Sequence, residues 1–200
     1  MGSRLWRRLE VFAWKSTGLG AYGVNVAVAD LDGIGTPEII ALGGNRVVAY
    51  RKVAGAIGYV EAASFALAGA LDLVVADCDG DGVPEIYVLT GSYSGSSVYR
   101  LDTSLGRVGV FSLDSPAQSL HLEDLGSAHK NLVVGVGDYW SFSSVQPHLR
   151  AVDPRSGAEV WSSPVLWGSV PINSLSYVDA NGDGAREMAF GTTYGMYVTR

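Results

Sequence analysis

Four carboxylates fall within nine residues of the stretch ADCDGDGVPEIYVLTG: Asp77, Asp79, Asp81 and Glu85, with Gly80 and Gly82 between them. Numbered from Asp77, side-chain oxygens stand at positions 1, 3, 5 and 9, and Val83 at position 7 can offer its backbone carbonyl. Hard oxygen ligands in this number suit Ca2+, which takes six to eight of them at about 2.3–2.6 Å. Glycine at position 6 allows the sharp turn with φ > 0 that such a loop needs. Without a cation, carboxylates crowded into one turn repel each other. Neither a thiolate nor an imidazole occupies any of these alternate positions, which argues against zinc or copper. An EF-hand is excluded because its loop runs to twelve residues between helices, whereas here Glu arrives at position 9 and β-formers lie on both sides.

The pattern recurs. VAVADLDGIGTPEIIALGG carries it at Asp30, Asp32, Ile34, Thr36 and Glu38, and LSYVDANGDGAREMAFGTT at Asp179, Asn181, Asp183, Ala185 and Glu187. A worn copy, LHLEDLGSAHKNLVVGVG, aligns Glu123, Leu125, Gly126, Ser127 and Asn131. These three acidic loops hold ten of the 20 acidic residues of a chain whose net charge is −6, so up to three calcium ions are expected. Carboxylate count ranks the 77–85 loop first, the 30–38 and 179–187 loops next, and leaves the 123–131 copy empty. Acidic D-x-D-G turns can also cap hairpins without metal. Three aligned copies, each ahead of the same strand, favour ligation, and a structural ion at that, since all its ligands are local to one hairpin.

The starting positions 30, 77, 123 and 179 lie 47, 46 and 56 residues apart, a spacing that signals an array or propeller. Each unit repeats its strand signals. One strand leads into the loop (NVAVAD, DLVVAD, SLHLE, LSYVD), and a second leaves it (EIIAL, EIYVL, NLVVGV, EMAFG). A third follows a Gly-rich hairpin (RVVAYR, SVYRLD, HLRAVD, GMYVTR), and a fourth closes the unit (GYVEAASF, RVGVFSL, EVWSSP). No window has helical periodicity. With 26 glycines and 48% hydrophobic residues, the 200-residue chain is expected to be all-β, a β-propeller of four four-stranded blades. The blades span about 25–66, 71–114, 118–164 and 172–200, with residues 8–15 supplying the last strand. In this reading LEVFAW, Leu9–Trp14, closes the ring and removes an exposed sheet edge. A piece of a longer propeller, or two copies building an eight-bladed ring, are the alternatives.

On these residues the chain resembles the FG-GAP or VCBS calcium-binding repeats of integrin-alpha-type β-propellers, whose D-x-D-x-D-G loops join the first two strands of a blade. The likeness is strongest at 77–85 and 179–187, weaker at 30–38, where Ile34 replaces the position-5 acid, and lost at 123–131. The FG and GAP tripeptides that name the family are not evident. The resemblance implies an extracellular or cell-surface protein engaged in adhesion or ligand binding without catalysis.

Other features say what the chain is not. GLGAYG fits a dinucleotide fingerprint at Gly18, Gly20 and Gly23, but a strand and not a helix follows, so it reads as an inter-blade loop. No G-x-S-x-G, P-loop or H-E-x-x-H occurs. His121, His129 and His148 are scattered over one blade, with Asp138 and Asp153 nearby in sequence as the acids available to them. The acidic balance argues against nucleic acid, and no apolar run is long enough to span a membrane. The N-terminus lacks the apolar core of a signal peptide.

Because strands alternate in direction, the acidic loops share one face and the second-to-third strand hairpins share the other with the inter-blade loops. That other face carries Tyr93, Tyr139, Trp140, Phe142, Trp167 and Tyr194, the candidate ligand-binding residues. Aromatic rings stack on sugars and anchor protein partners. The expectation is a non-catalytic calcium-binding module, monomer or homodimer, for a protein or glycan ligand. The alternative is the propeller domain of a secreted polysaccharide-active enzyme.

Overall fold

The computed structural model describes residues 14–16, 19, 25–55, 58–92, 95–125, 129–137, 146–167 and 175–199. Valine is the commonest residue in the segments that become strands, ahead of alanine and leucine, and most of the turns between them contain glycine. The first blade is β1 (Asn25–Ala29), β2 (Glu38–Gly43), β3 (Arg46–Lys52) and β4 (Tyr59–Ala66). The second is β5 (Ala70–Ala76), β6 (Glu85–Ser92), β7 (Gly95–Leu101) and β8 (Arg107–Ser112). The third is β9 (Ala117–Glu123), β10 (Asn131–Val136), β11 (His148–Val152) and β12 (Glu159–Ser162). The fourth has β13 (Leu175–Val178), β14 (Glu187–Gly191) and β15 (Met196–Thr199) among the described residues. Each sheet is an antiparallel meander in chain order, the blade architecture expected from the repeat. At the β2–β3 turn Gly44 and Asn45 take φ of 58° and 63°, the paired left-handed conformation whose twist matches a two-residue hairpin.

Side chains alternate across each strand, so each blade offers an apolar layer to both neighbours. Ile40, Leu42, Val47 and Ala49 face Leu73, Ile86, Val88 and Leu101 of the second blade. Tyr87, Leu89 and Val98 face Leu120, Leu132 and Val134 of the third. Val133, Leu149 and Ala151 face Met188 and Phe190 of the fourth. On the far side of the first blade, Ala41, Val48 and Tyr50 pack with Leu19 and Trp14. Of the segment expected to close the ring, residues 8–15, only Trp14 and Lys15 are described, and the rest lies outside the described residues. Trp14 is in no strand, and its ring meets Tyr50 of the first blade edge-on at 5.0 Å between centroids.

The first strands of neighbouring blades adjoin one another, and one buried carboxylate ties three blades together there. A register shift between Ala70 and Asp72 turns Asp72 inward, where it is 1% exposed. Its Oδ1 accepts from the Asn25 side-chain amide of the first blade and from the Leu73 N–H, and its Oδ2 accepts from the Leu120 N–H of the third at 2.8 Å. Burial pushes its carboxyl up to about 6, against the pull of the Leu120 and Leu73 N–H groups.

Candidate metal centres in the acidic loops

Each acidic loop joins the first strand of a blade to the second, and the three intact copies fold alike down to single hydrogen bonds. The position-1 carboxylate caps two glycine N–H groups. Asp30 accepts from Gly33 at 2.9 Å and Gly35 at 2.8 Å, Asp77 from Gly80 at 2.6 Å and Gly82 at 2.9 Å, and Asp179 from Gly182 at 2.6 Å and Gly184 at 2.9 Å. Those glycines have φ between 72° and 88°, conformations that only glycine adopts without strain. The position-3 side chain accepts from the position-5 N–H: Asp32 from Ile34, Asp79 from Asp81, Asn181 from Asp183. The position-9 glutamate opens the second strand and folds back under the loop. Glu38 takes the Leu31 N–H at 2.9 Å, Glu85 the Cys78 N–H at 3.0 Å and Glu187 the Ala180 N–H at 2.9 Å.

This folding brings positions 1, 3 and 9 together. Ligand oxygens of Asp30, Asp32 and Glu38 lie within 4.8 Å of one another, as do those of Asp77, Asp79 and Glu85. Each group could hold a metal ion. In the first of them Glu38 is only 3% exposed, and its Oε1 has no hydrogen-bond partner. A buried acceptor left unpaired costs about 1–3 kcal/mol, more when it carries charge. A bare carboxylate oxygen facing two further carboxylates is the chemistry of a cation site, and the residues present fit one.

Position 5 lies outside both triads. Asp81 Oδ1 accepts the Val83 N–H at 2.7 Å and Asp183 Oδ1 the Ala185 N–H at 2.9 Å, while Ile34 is exposed and has no side-chain oxygen. Thr36, Val83 and Ala185 stand at position 7, where only the backbone carbonyl is an oxygen donor common to all three. The 179–187 loop differs from the others: the Asn181 amide donates to Glu187 Oε1 at 3.1 Å, filling the place that a third carboxylate has elsewhere. The Gly184 and Gly182 N–H groups hold Asp179 below the ordinary carboxylate range. Burial pushes the Glu85 carboxyl up.

The worn copy has lost this geometry. Glu123 pairs with His121 at 2.9 Å, Leu125 packs against the core between the third and fourth blades, and Asn131 is buried at position 9. Gly126 and Ser127 lie outside the described residues.

Of the six candidate ligand-binding aromatics, Tyr93, Tyr139, Trp140 and Phe142 lie outside the described residues, as does Asp138. Trp167 and Tyr194 are 72% and 57% exposed. The Trp167 N–H donates to Tyr197 Oη at 3.1 Å, on the strand that follows the turn bearing Tyr194. Asp153 caps the β11–β12 turn through the Arg155 and Ser156 N–H groups at 3.0 and 2.7 Å.

Three participants escape a reading of the acidic motif alone. Position 2 is an apolar plug: Leu31 and Cys78, 6% and 3% exposed, pack against the following blade. Burial pushes the Cys78 thiol up to about 11. Asp72 stands five residues before its loop, and the same register holds Asn25, Gln118 and Ser174, all polar, so aligning the repeats reveals the position although not its partners. Arg155 comes from the third blade and pairs with Asp79 Oδ2 at 2.8 Å, which draws Asp79 below its ordinary value.

Comparison with known proteins agrees with the fold. Residues 30–88 match the FG-GAP-like repeat. Among solved structures, BBS1N in complex with ARL6DN, from a crystal soaked with lead, superposes with a TM-score of 0.66 at 15% identity, over 92% of this chain and 55% of that one. A mercury-soaked crystal of the same complex gives 0.61 at 15% identity, over 88% and 53%. The exotype rhamnogalacturonan lyase YesX gives 0.57 at 17% identity, over 84% and 38%. At these identities the likeness is one of fold, and the chain spans about half the length of the BBS1N chains. None of the curated proteins matches the chain. No helix among the described residues is long and apolar enough to cross a membrane.

Proposed function

We propose that this FG-GAP-repeat propeller is a calcium-stabilised, non-catalytic binding module that takes a protein or glycan ligand, acting outside the cell or at its surface. One observation carries the metal half of the reading: Glu38 Oε1 is buried without a partner beside Asp30 and Asp32, on a loop scaffold repeated at Asp77, Asp79 and Glu85. Asp30, Asp32 and Glu38 would hold one ion, Asp77, Asp79 and Glu85 a second, and Asp179, Asn181 and Glu187 a third. The carbonyls of Thr36, Val83 and Ala185 complete the sets in the family pattern. A bound calcium ion supplies positive charge that offsets the repulsion within each triad and braces the hairpin.

Trp167 and Tyr194 offer exposed rings, and BBS1N, a propeller of the same fold, forms a complex with a protein partner. The likeness to a rhamnogalacturonan lyase keeps the second reading, a domain of a polysaccharide-active enzyme, in view.

Calorimetric titration of the whole chain with CaCl2 tests the metal half, and binding between pull-down partners or on a glycan array, with and without calcium, tests the other. Heat from two or three sites with a rising melting temperature supports the reading. A protein that takes up no calcium at millimolar concentration, or that cleaves a polyuronide, overturns it.

A further inference from the structure

The two carboxylate triads are built on the same scaffold but meet different neighbours. On the face that carries the acidic loops, the third-to-fourth strand hairpins of the second and third blades each lie beside the acidic loop of the blade before. For the first blade that neighbour is the β7–β8 turn, where Asp102 caps the Ser104 N–H at 2.9 Å. Its Thr103 and Ser104 are neutral, and they line a cavity of about 260 Å³ together with Asp32, Glu38 and Arg51 of β3. Asp32 Oδ1 takes the Ile34 N–H, and no described lysine or arginine pairs with this carboxylate.

For the second blade the neighbour is the β11–β12 turn. Asp153 holds it in the same manner, through the Arg155 and Ser156 N–H groups. The backbone of Arg155 is thereby fixed at the hairpin tip, and its guanidinium crosses to Asp79 Oδ2 at 2.8 Å. Asp79 Oδ1 already takes the Asp81 N–H. Both oxygens of this triad member are therefore engaged, one of them by a permanent positive charge. The fourth acid, Asp81, lies outside the triad, and its Oδ1 accepts the Val83 N–H.

We propose that Arg155 is a built-in counter-cation of the 77–85 loop, which a divalent ion must displace, so that the hairpin of the next blade sets metal affinity there and holds it below that of the 30–38 loop. The inference rests on the calcium reading above and reverses the order given by carboxylate count. A pair as exposed as this one, with Arg155 at 46% and Asp79 at 19% side-chain exposure, has a modest free energy. Repulsion between the guanidinium and an incoming doubly charged ion adds to it. Together they correspond to about a three- to tenfold loss of affinity. Metal entry at this loop also releases a contact between the second and third blades, so ion and inter-blade packing are coupled at one loop and not at the other.

The test is a calcium titration by calorimetry on the full chain at low ionic strength. Asp30→Asn and Asp77→Asn assign each binding step to its loop. Wild type is expected to lose its tighter step in Asp30→Asn and to keep it in Asp77→Asn. Arg155→Gln, a change at a half-exposed surface position, should tighten the 77–85 step about three- to tenfold and leave the 30–38 step unmoved. Arg155→Lys, which keeps the charge without the planar fork, should fall between. An unchanged 77–85 step in Arg155→Gln, or a wild-type tighter step that belongs to 77–85, overturns this inference while leaving the calcium reading intact. No calcium binding in either protein overturns the calcium reading and this inference with it.

Discussion

Asp72 should make the stability of this protein depend on pH in a direction opposite to that of most carboxylates. Its folded-state value lies at about 6, above the ordinary 3.8, because burial disfavours the charge more than its donors favour it. The folded state therefore holds the proton more tightly than the unfolded chain does. The stabilisation from this group is complete below pH 3.8 and is lost as pH rises through about 6. The full span is about 3 kcal/mol, of which about 1.4 kcal/mol is still present at pH 5. Asp72→Asn has no such titration. Other acids, including those of the acidic loops, titrate in both proteins, so they cancel when the two curves are subtracted. The assay is urea unfolding followed by tryptophan fluorescence, in EDTA, at intervals from pH 4 to 7.5. The wild-type advantage over Asp72→Asn should shrink by about 2–3 kcal/mol across that window. A difference curve that is flat to within about 1 kcal/mol, or that rises with pH, would show that the three donors outweigh burial and that the tie between blades is an ordinary ionised one.

Two further outcomes follow from the loops. Glu38→Gln keeps an acceptor for the Leu31 N–H but removes one of three converging charges, so calcium affinity at 30–38 should fall more than tenfold in calorimetry while the melting temperature in EDTA holds or rises; retained affinity with a lower melting temperature in EDTA would reverse the assignment. Gly82 and Gly157 both have positive φ, but a Cβ on Gly82 meets nothing within 4 Å, whereas one on Gly157 meets the Phe111 ring at 2.4 Å. Gly82→Ala should then cost about 1–2 kcal/mol from its backbone alone and Gly157→Ala clearly more, and equal losses in urea unfolding would argue against the packing term.

What the sequence by itself determined is whatever repeats along it. A nearly constant period, alternating β-formers and an acidic loop at the same place in each copy set out the blades, because strand periodicity and turn chemistry are local properties. The position-9 glutamate was readable as a candidate ligand for the same reason. Its second task, taking the position-2 N–H, was not, since that bond needs the hairpin closed first. Nor could counting acids distinguish Asp81, which lies outside the triad, from Asp79, which joins it. Arg155 and Asp72 mark the other limit. Arg155 stands far along the chain from the loop it meets, and Asp72 reaches Asn25 and Leu120 at separations of 47 and 48 residues. Only packing one blade on the next brings such groups together, so partners across blades, and the electrostatics they impose on otherwise identical loops, were decided by the tertiary structure.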